Sequence, residues 1–504
     1  MFKFIHGMGA ILLALITAPT AAQQLSGSPT GNEVVRVIQN GATKSLSLAQ
    51  VQGLQTPPAG FRWDFAAHPL NIYRSPNGRY HTDLEPRSIA TIAPIFARAN
   101  QATGTTLVTY ADAAKADNSG DGLTASTAEQ GIRSALADCE ANATAQFCLV
   151  YAKAGDYDRT KDFNGTGGQP AGFISKPTAI VCYGGPCILS PTQKGLTWTA
   201  NGSAWQATRS NTGHVLNEVA NDAFGDRNDF VVQASVAAVQ NCVATDCMFT
   251  DGSTLTIKRA DAVQPTDANT RVLLNSDVLN LGPNPVSFYM SGFTVLGGAT
   301  ATFQDNTGGL RTKDVVVQDT YFAYPAGVGR NAVQLADING FVGFWRVTAN
   351  KGSADGFNSR FQVTGGATDW LLVDPVSYDV GRAGSQSNNC LTSHDGGLND
   401  VRVRIIALNG ICRGTAGASI RPIGGSQMWL AGFTIDTDLG DTQFGGAVSS
   451  TCMQADDYAI IWAQDVRCNR MLNSMTVSST ATINIRRFDG GGGLRAGAGT
   501  IGGF

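Results

Sequence analysis

Charge is scarce in this 504-residue chain: Asp, Glu, Lys and Arg make up 15% of it, and the formal net charge is only −3. Nucleic-acid binding leaves a strong basic footprint, which is missing here. Histidine is rare, at five residues, and no Cys-x-x-Cys occurs, so the common structural zinc patterns are excluded. Beyond the N-terminal residues no apolar run is long enough to cross a membrane. Sustained helical periodicity is absent too. What is present is glycine, 59 residues of it, together with abundant Asn, Asp and Thr, which fits all-β structure with many turns.

The first 22 residues read as a signal peptide: Lys3, an apolar run from Ile11 to Ile16, then Ala18-Pro-Thr-Ala-Ala22 with small residues suited to cleavage before Gln23. A secreted protein, periplasmic or extracellular, is expected. The ten cysteines fall in close pairs: Cys139 with Cys148, Cys182 with Cys187, Cys242 with Cys247, Cys390 with Cys412, and Cys452 with Cys468. In an exported protein such local pairing suggests disulfides that pin loops, with connectivity left open by spacing alone.

Residues 23–105 form a small N-terminal module whose role the sequence does not reveal. It contains a strand from Glu33 ending at Asn40-Gly41, a short helix expected over 45–53, and the aromatic-rich Phe61-Arg-Trp-Asp-Phe65. At Asp117-Asn-Ser-Gly-Asp-Gly122 the chain changes character. Ser126-x-x-Glu129 has the form of a capping box, and Ile132, Leu136 and Cys139 make one apolar face of a short helix. Asp117 and Asp121 offer oxygens to a calcium ion, although turn chemistry accounts for both with less. A strand over 147–157 follows and ends Ala-Gly-x-Tyr. From 288 onward short strands recur every 27 to 32 residues, at 288–295, 315–322, 341–347, 370–373, 401–406, 428–435, 458–462 and 481–485. Shorter ones lie between, at 331–335 and 447–450.

An acidic glycine turn, a capping helix, a strand ending in glycine and then evenly recurring short strands resembles the right-handed parallel β-helix domains of the pectate-lyase-like superfamily. The resemblance covers roughly 106–488 and is one of fold. It implies an all-β, single-stranded right-handed solenoid, plugged at its entry by the helix as repeat stacks require. The glycine-rich residues 489–504 read as a mobile tail.

Within that frame, three pieces of 346–436 line up. Phe357, Leu391 and Ile420 fall into one inward column, which sets Asn358, Thr392 and Arg421 in the adjacent outward column and Arg360 beside His394 two residues on. The repeat is about 29 to 34 residues, and stacked strands lie about 4.8 Å apart. The insertion 381–389, with Arg382 and Asn389, lengthens one coil beside this wall.

The superfamily resemblance implies action on a polysaccharide, and the residues favour a lyase cleaving an acidic glycan by β-elimination. That chemistry needs a cation on the carboxylate, a base for the α-proton and an acid for the leaving oxygen. Arg360, His394 and Tyr378 are the candidate catalytic residues. Asn358, Arg382, Asn389, Arg421, Asp355 and Asp395 are the candidate substrate ligands. Blander readings stand beside these. Asn358 and Asn389 suit a ladder inside the coil, Asp355, Asp374 and Asp395 are turn residues next to Gly or Pro, and Arg402 and Arg404 suit a solvated strand face. Two alternatives remain: a glycoside hydrolase using a pair among Asp355, Asp374, Asp395 and Asp436, and a non-catalytic, phage-derived glycan-binding adhesin. Neither Asp-Pro-His-Glu nor the Asn-x-Asp, Asp-Asp, Gly-His-Gly series of polygalacturonases occurs. No cofactor is required, calcium remains a candidate, and neither nucleic acid nor a membrane span is expected.

Overall fold

The computed structural model describes residues 34–39, 42–47, 54–86, 104–162, 174–305, 308–327, 329–381, 388–397, 400–436, 451–470, 473–478 and 480–504. The leader, Arg382 and the strand expected at 447–450 lie outside the described residues. So do residues 48–53 of the expected short helix, and its start is instead the strand Ala42–Ser47, paired antiparallel with Val34–Gln39.

Parallel strands dominate, arranged as a parallel β-helix-like fold. One column of the largest sheet runs Phe288, Val315, Val342, Trp370, Ile405, Met428, Ile461, Ile483 and Ile501, each in register with the next. All but Ile501 are buried in the main core. A second, nine-stranded sheet carries the column Phe303, Val333, Phe357, Leu391, Ile420, Met453 and Met475. Alternation along a strand sends every second side chain to the interior, so both columns meet inside the tube.

The corners explain why the coils stay in step. Gly292, Asp319, Arg346, Asp374, Asn409 and Gly432 each directly follow a strand of the largest sheet, and Asp465 and Arg487 lie within one; all have positive φ, between 50° and 85°. The amide of each from Gly292 to Gly432 bonds to the next coil, as in Asp319 N to Trp345 O at 2.9 Å and Arg346 N to Val373 O at 2.8 Å. Five residues on, Gly297, Tyr324, Lys351, Asp379, Gly414, Arg470 and Gly492 repeat the conformation. Gly, Asp and Asn tolerate this left-handed region best. At the arginines among the exceptions a neighbouring coil supplies an acidic partner, as when the Arg346 guanidinium bonds to Asp319 Oδ1 at 2.5 Å.

The helix Ile132–Ala141 buries Ile132, Ala135, Leu136 and Cys139 against the first coils. The expected capping box is not used. Glu129 instead exchanges backbone bonds with Tyr110 and Asp112, and the Arg133 amide donates to Asp162 Oδ1 at 2.7 Å, so an acid from downstream serves the helix start. The five disulfides join the same cysteines that neighbour one another in sequence. Cys390–Cys412 and Cys452–Cys468 lie within the tube's core, where each contributes about 2–4 kcal/mol by restricting the unfolded chain.

Two features differ from expectation. Residues 190–276 do not continue the coils but form mainly antiparallel sheets with their own small core of Val215, Phe230, Met248, Leu255, Ile257 and Val272. The tail is not loose: Leu494–Gly497 and Thr500–Gly503 pair with the preceding coil, because a backbone ladder can extend without large side chains.

Residues 54–86 lie across the outer face of the long-strand sheet. Phe61 meets Trp429 and Trp462 edge-on, at 6.1 and 5.7 Å. His68 Nδ1 sits 2.7 Å from Asp369 Oδ2, whose other oxygen is 2.5 Å from Arg404 Nε. This strap covers an apolar face that would otherwise be wet. Trp429→Ala is expected to cost about 3–5 kcal/mol in chemical denaturation and to make 54–86 more sensitive to protease. Unchanged stability with unchanged cleavage would show that the strap does not depend on this contact.

Candidate functional site

The outward face of the nine-stranded sheet carries the expected alignment. Strands Phe357–Phe361, Leu391–Asp395 and Ile420–Ile423 are adjacent, with Asn358 opposite Thr392 and Arg360 opposite His394. Thr392 in turn lies opposite Arg421. These strands form because Phe357, Leu391 and Ile420 fill one inward column, while Ser359 and Ser393, wholly buried, fill the next beside Pro422. Small serines there leave the backbone close-packed and the outward neighbours fixed.

His394 is the distinctive group. Burial first, then the charges of Arg360 and Arg421, lower its pKa from 6.5 to about 4. It is therefore neutral over the ordinary pH range and able to accept a proton. The two arginines differ. Arg360 is exposed, and among the described residues its side chain donates to Gln362 Oε1, at 2.8 Å. Arg421 Nε is 2.8 Å from Asp456 Oδ2, and Gln454 Nε2 donates to both oxygens of that carboxylate.

Other proposed ligands are already occupied. Asp355 accepts from Asn358 Nδ2 at 2.5 Å and from the Asn389 amide at 2.7 Å. Asn389 Nδ2 donates to Ala418 O in the next coil, so Asp355 and Asn389 knit coil to coil beneath the wall rather than facing a ligand. Asp395 accepts from the amides of Gly397, Arg402 and Val403 and closes its own turn. Asn358 is 7% exposed, with Oδ1 buried and unbonded.

Tyr378 is not part of this wall. It lies on Val376–Val380, in the other sheet, where its hydroxyl donates to Asp226 Oδ1 at 3.1 Å and its ring stacks on Phe224 at 5.2 Å. Burial, then the nearby Asp226 carboxylate, raises its pKa. Lys351, bonded to Asp222 and Asp379, belongs to the same joint between the tube and residues 190–276. Arg404 is not a solvated face residue either, since its partner is the wholly buried Asp369. The four aspartates of the hydrolase alternative each have other partners. Asp374 pairs with Arg79 and Asp436 with Arg470. Asp355 and Asp395 stand two residues before and four after the shared Phe357–Leu391 rung, about 20 Å apart along the strands, whereas glycosidase carboxyls lie about 5 to 9.5 Å apart.

Asp117 accepts from the Ser119 amide and Asp121 from the Leu123 amide, each at 3.0 Å, which is turn chemistry. Among the described residues no group of three or more His, Cys, Asp or Glu side chains is disposed to hold a metal ion. The sequence reading leaves out Asp456 and Gln454. Their placement depends on the length of the coil between Ile420 and Met453, which are in register.

No family model matches the chain, and no curated protein matches it. Among solved structures it is similar to a glycoside hydrolase (8% identity, 79% of this chain and 96% of that chain, TM-score 0.39). It is also similar to the GH136 lacto-N-biosidase from Eubacterium ramulus (8%, 79% and 68%, TM-score 0.36). A third is the family 28 exopolygalacturonase of Yersinia enterocolitica (12%, 86% and 82%, TM-score 0.37). Likeness at this level assigns no activity.

The site's two shifted groups act oppositely on stability. Between about pH 4 and 6.5 the unfolded chain takes a proton that folded His394 refuses, so stability is full above 6.5 and lost as pH falls toward 4. Burial raises the Asp355 pKa from 3.8 to about 7, so here the folded chain keeps a proton the unfolded one releases, and stability declines as pH rises through that interval. Urea denaturation across pH should show His394→Gln removing the rising limb relative to wild type, and Asp355→Asn removing the falling one. Identical pH slopes in all three proteins would contradict these assignments.

Proposed function

We propose that the coils wind as one right-handed stack and that the protein is a secreted polysaccharide lyase acting on an acidic glycan. The observation that carries this reading is a neutral histidine set between two arginines on an outward wall of stacked strands. Arg360 faces a substrate carboxylate and lowers the cost of charge building beside it. His394 takes the proton on the carbon next to that carboxylate. The electron pair left behind forms a carbon–carbon double bond, the glycosidic C–O bond breaks, and the departing oxygen collects a proton from solvent. The disulfides are compatible with an oxidising compartment outside the cytoplasm.

Incubation with a panel of acidic polysaccharides, followed by the ultraviolet absorbance of unsaturated product, tests the reading. His394→Ala is expected to lower kcat about 10²–10⁴-fold while glycan binding persists, and Tyr378→Phe to leave kcat unchanged. Reducing sugar released without unsaturation would favour hydrolysis, and binding with no product would favour an adhesin. Either result contradicts the lyase reading.

A further inference from the structure

We propose that residues 54–86 are a latch that closes last: the strap docks only on a finished stack, and once docked it holds the final coils against unwinding. The inference is independent of what the outward wall binds.

It starts from where the strap is held. Its first pass crosses the coils in descending order. Gln464 Nε2 donates to Gln55 Oε1 at 2.8 Å, the Arg62 amide to Gln427 Oε1 at 2.8 Å, and the Asp64 amide to Asp369 Oδ2 at 3.3 Å. Trp63 meets Phe341 edge-on at 6.4 Å. A hairpin of Ile72–Arg74 with Tyr80–Thr82 then turns the chain back. Arg74 Nε lies 2.8 Å from Asp465 Oδ2, Arg79 Nη2 2.5 Å from Asp374 Oδ2, and Glu85 Oε1 2.5 Å from Arg346 Nη1. These partners stand between 261 and 409 residues further along the chain.

The returning pass clasps the corners. Arg346, Asp374, Asn409, Asp465 and Arg487 are left-handed turning points of successive parts of the stack, and each binds a residue between Arg74 and Glu85. Tyr80 is central to this contact. Wholly buried, its backbone exchanges two bonds of 2.8 Å with the Asn409 side chain. Its hydroxyl donates to Asp465 and accepts from Arg487 Nη2 at 3.3 Å. Burial opposes charge on Asp465, yet bonds from Arg487, Tyr80 and Arg74 hold its pKa down at about 2, the mark of a strong charge-assisted anchor. Asp465 and Arg487 lie on Ile460–Asn469 and Thr482–Asp489, late in the stack, so this anchor is among the last to be built.

Order follows from that distribution. The strap's own strands are two or three residues long, too short to persist without a face to lie on. The face exists once the coils from 341 to 489 have paired, and long-range pairings of this kind are slow to form. A partly wound stack offers a few of the anchors and leaves Phe341 and Trp429, both wholly buried in the closed protein, without their cover. Closure then ties distant coils together, because the coil carrying Arg487 cannot peel away without giving up its bond to Tyr80.

Native-state hydrogen exchange in rising urea tests the latch, since under equilibrium exchange what closes last opens first. In wild type the amides of Arg62, Asp64 and Tyr80 should exchange through one shared opening, ahead of the amides of 341–345 and 482–485. Tyr80→Phe keeps the ring and removes the hydroxyl. It should speed that opening about tenfold or more, the effect of losing a hydrogen bond to a charged group. The acceleration should reach Asp64, which is anchored on Asp369, and the amides of 482–485, while 147–157 stays unchanged. Strap amides that open one by one, or coils 341–345 and 482–485 that open while the strap stays protected, would overturn the proposal in wild type alone. A Y80F effect that is absent or confined to Tyr80's own neighbours in the hairpin would overturn it as well.

Discussion

Parallel strands laid coil on coil, with each coil turning through a left-handed residue at the same place, are the constraint on which the rest depends. A strand pairing that slips by one residue sends every side chain to the opposite face. The corner residues from Gly292 to Arg487 oppose such a slip, because each bends the chain at one fixed point of the coil and most hand an amide to the next coil. Side chains far apart in sequence thereby become stable neighbours. Phe357, Leu391 and Ile420 define the interior of one wall, and Arg360, His394 and Arg421 are held on its outside as a consequence.

The electrostatics of that wall follow from the same stacking. An imidazole raised on an open loop would titrate near its ordinary value. Here burial and two guanidinium groups act together on His394. Partial burial of Arg421 and Asp456, each 21% exposed, makes their pairing less open to screening than a fully exposed pair would be. Elsewhere on the molecule cations serve architecture. Arg346 links a corner to Glu85, Arg404 holds Asp369 under the strap, and Lys351 joins Asp222 to Asp379. A basic residue in this chain is thus distinguished by what faces it, not by its abundance.

Much of this was legible before coordinates. The register of 357, 391 and 420 could be read because apolar residues there recur against a polar background, and period-two alternation then set the outward column. The cysteine pairs were legible for a similar reason, each pair being close in sequence. Tyr378 was misplaced because its strand belongs to a different sheet, and no local pattern tells one strand of a coil from another. The excursion 190–276 does leave a trace in the sequence: Asn201-Gly202 and Asp251-Gly252 stand at antiparallel hairpins, for which such dipeptides are the strongest short-range signal. The capping box failed because its competitor, Asp162, lies thirty or so residues downstream.

The central claim is that stacking buries His394 and brings Arg360 and Arg421 beside it, and so keeps the imidazole neutral. Nuclear magnetic resonance titration of histidine-labelled protein addresses it directly, since only five histidines are present. The account predicts that the His394 resonance titrates with a midpoint near 4 and moves upward when Arg360 is replaced by Gln. A midpoint at the ordinary 6.5, indifferent to that replacement, would contradict it.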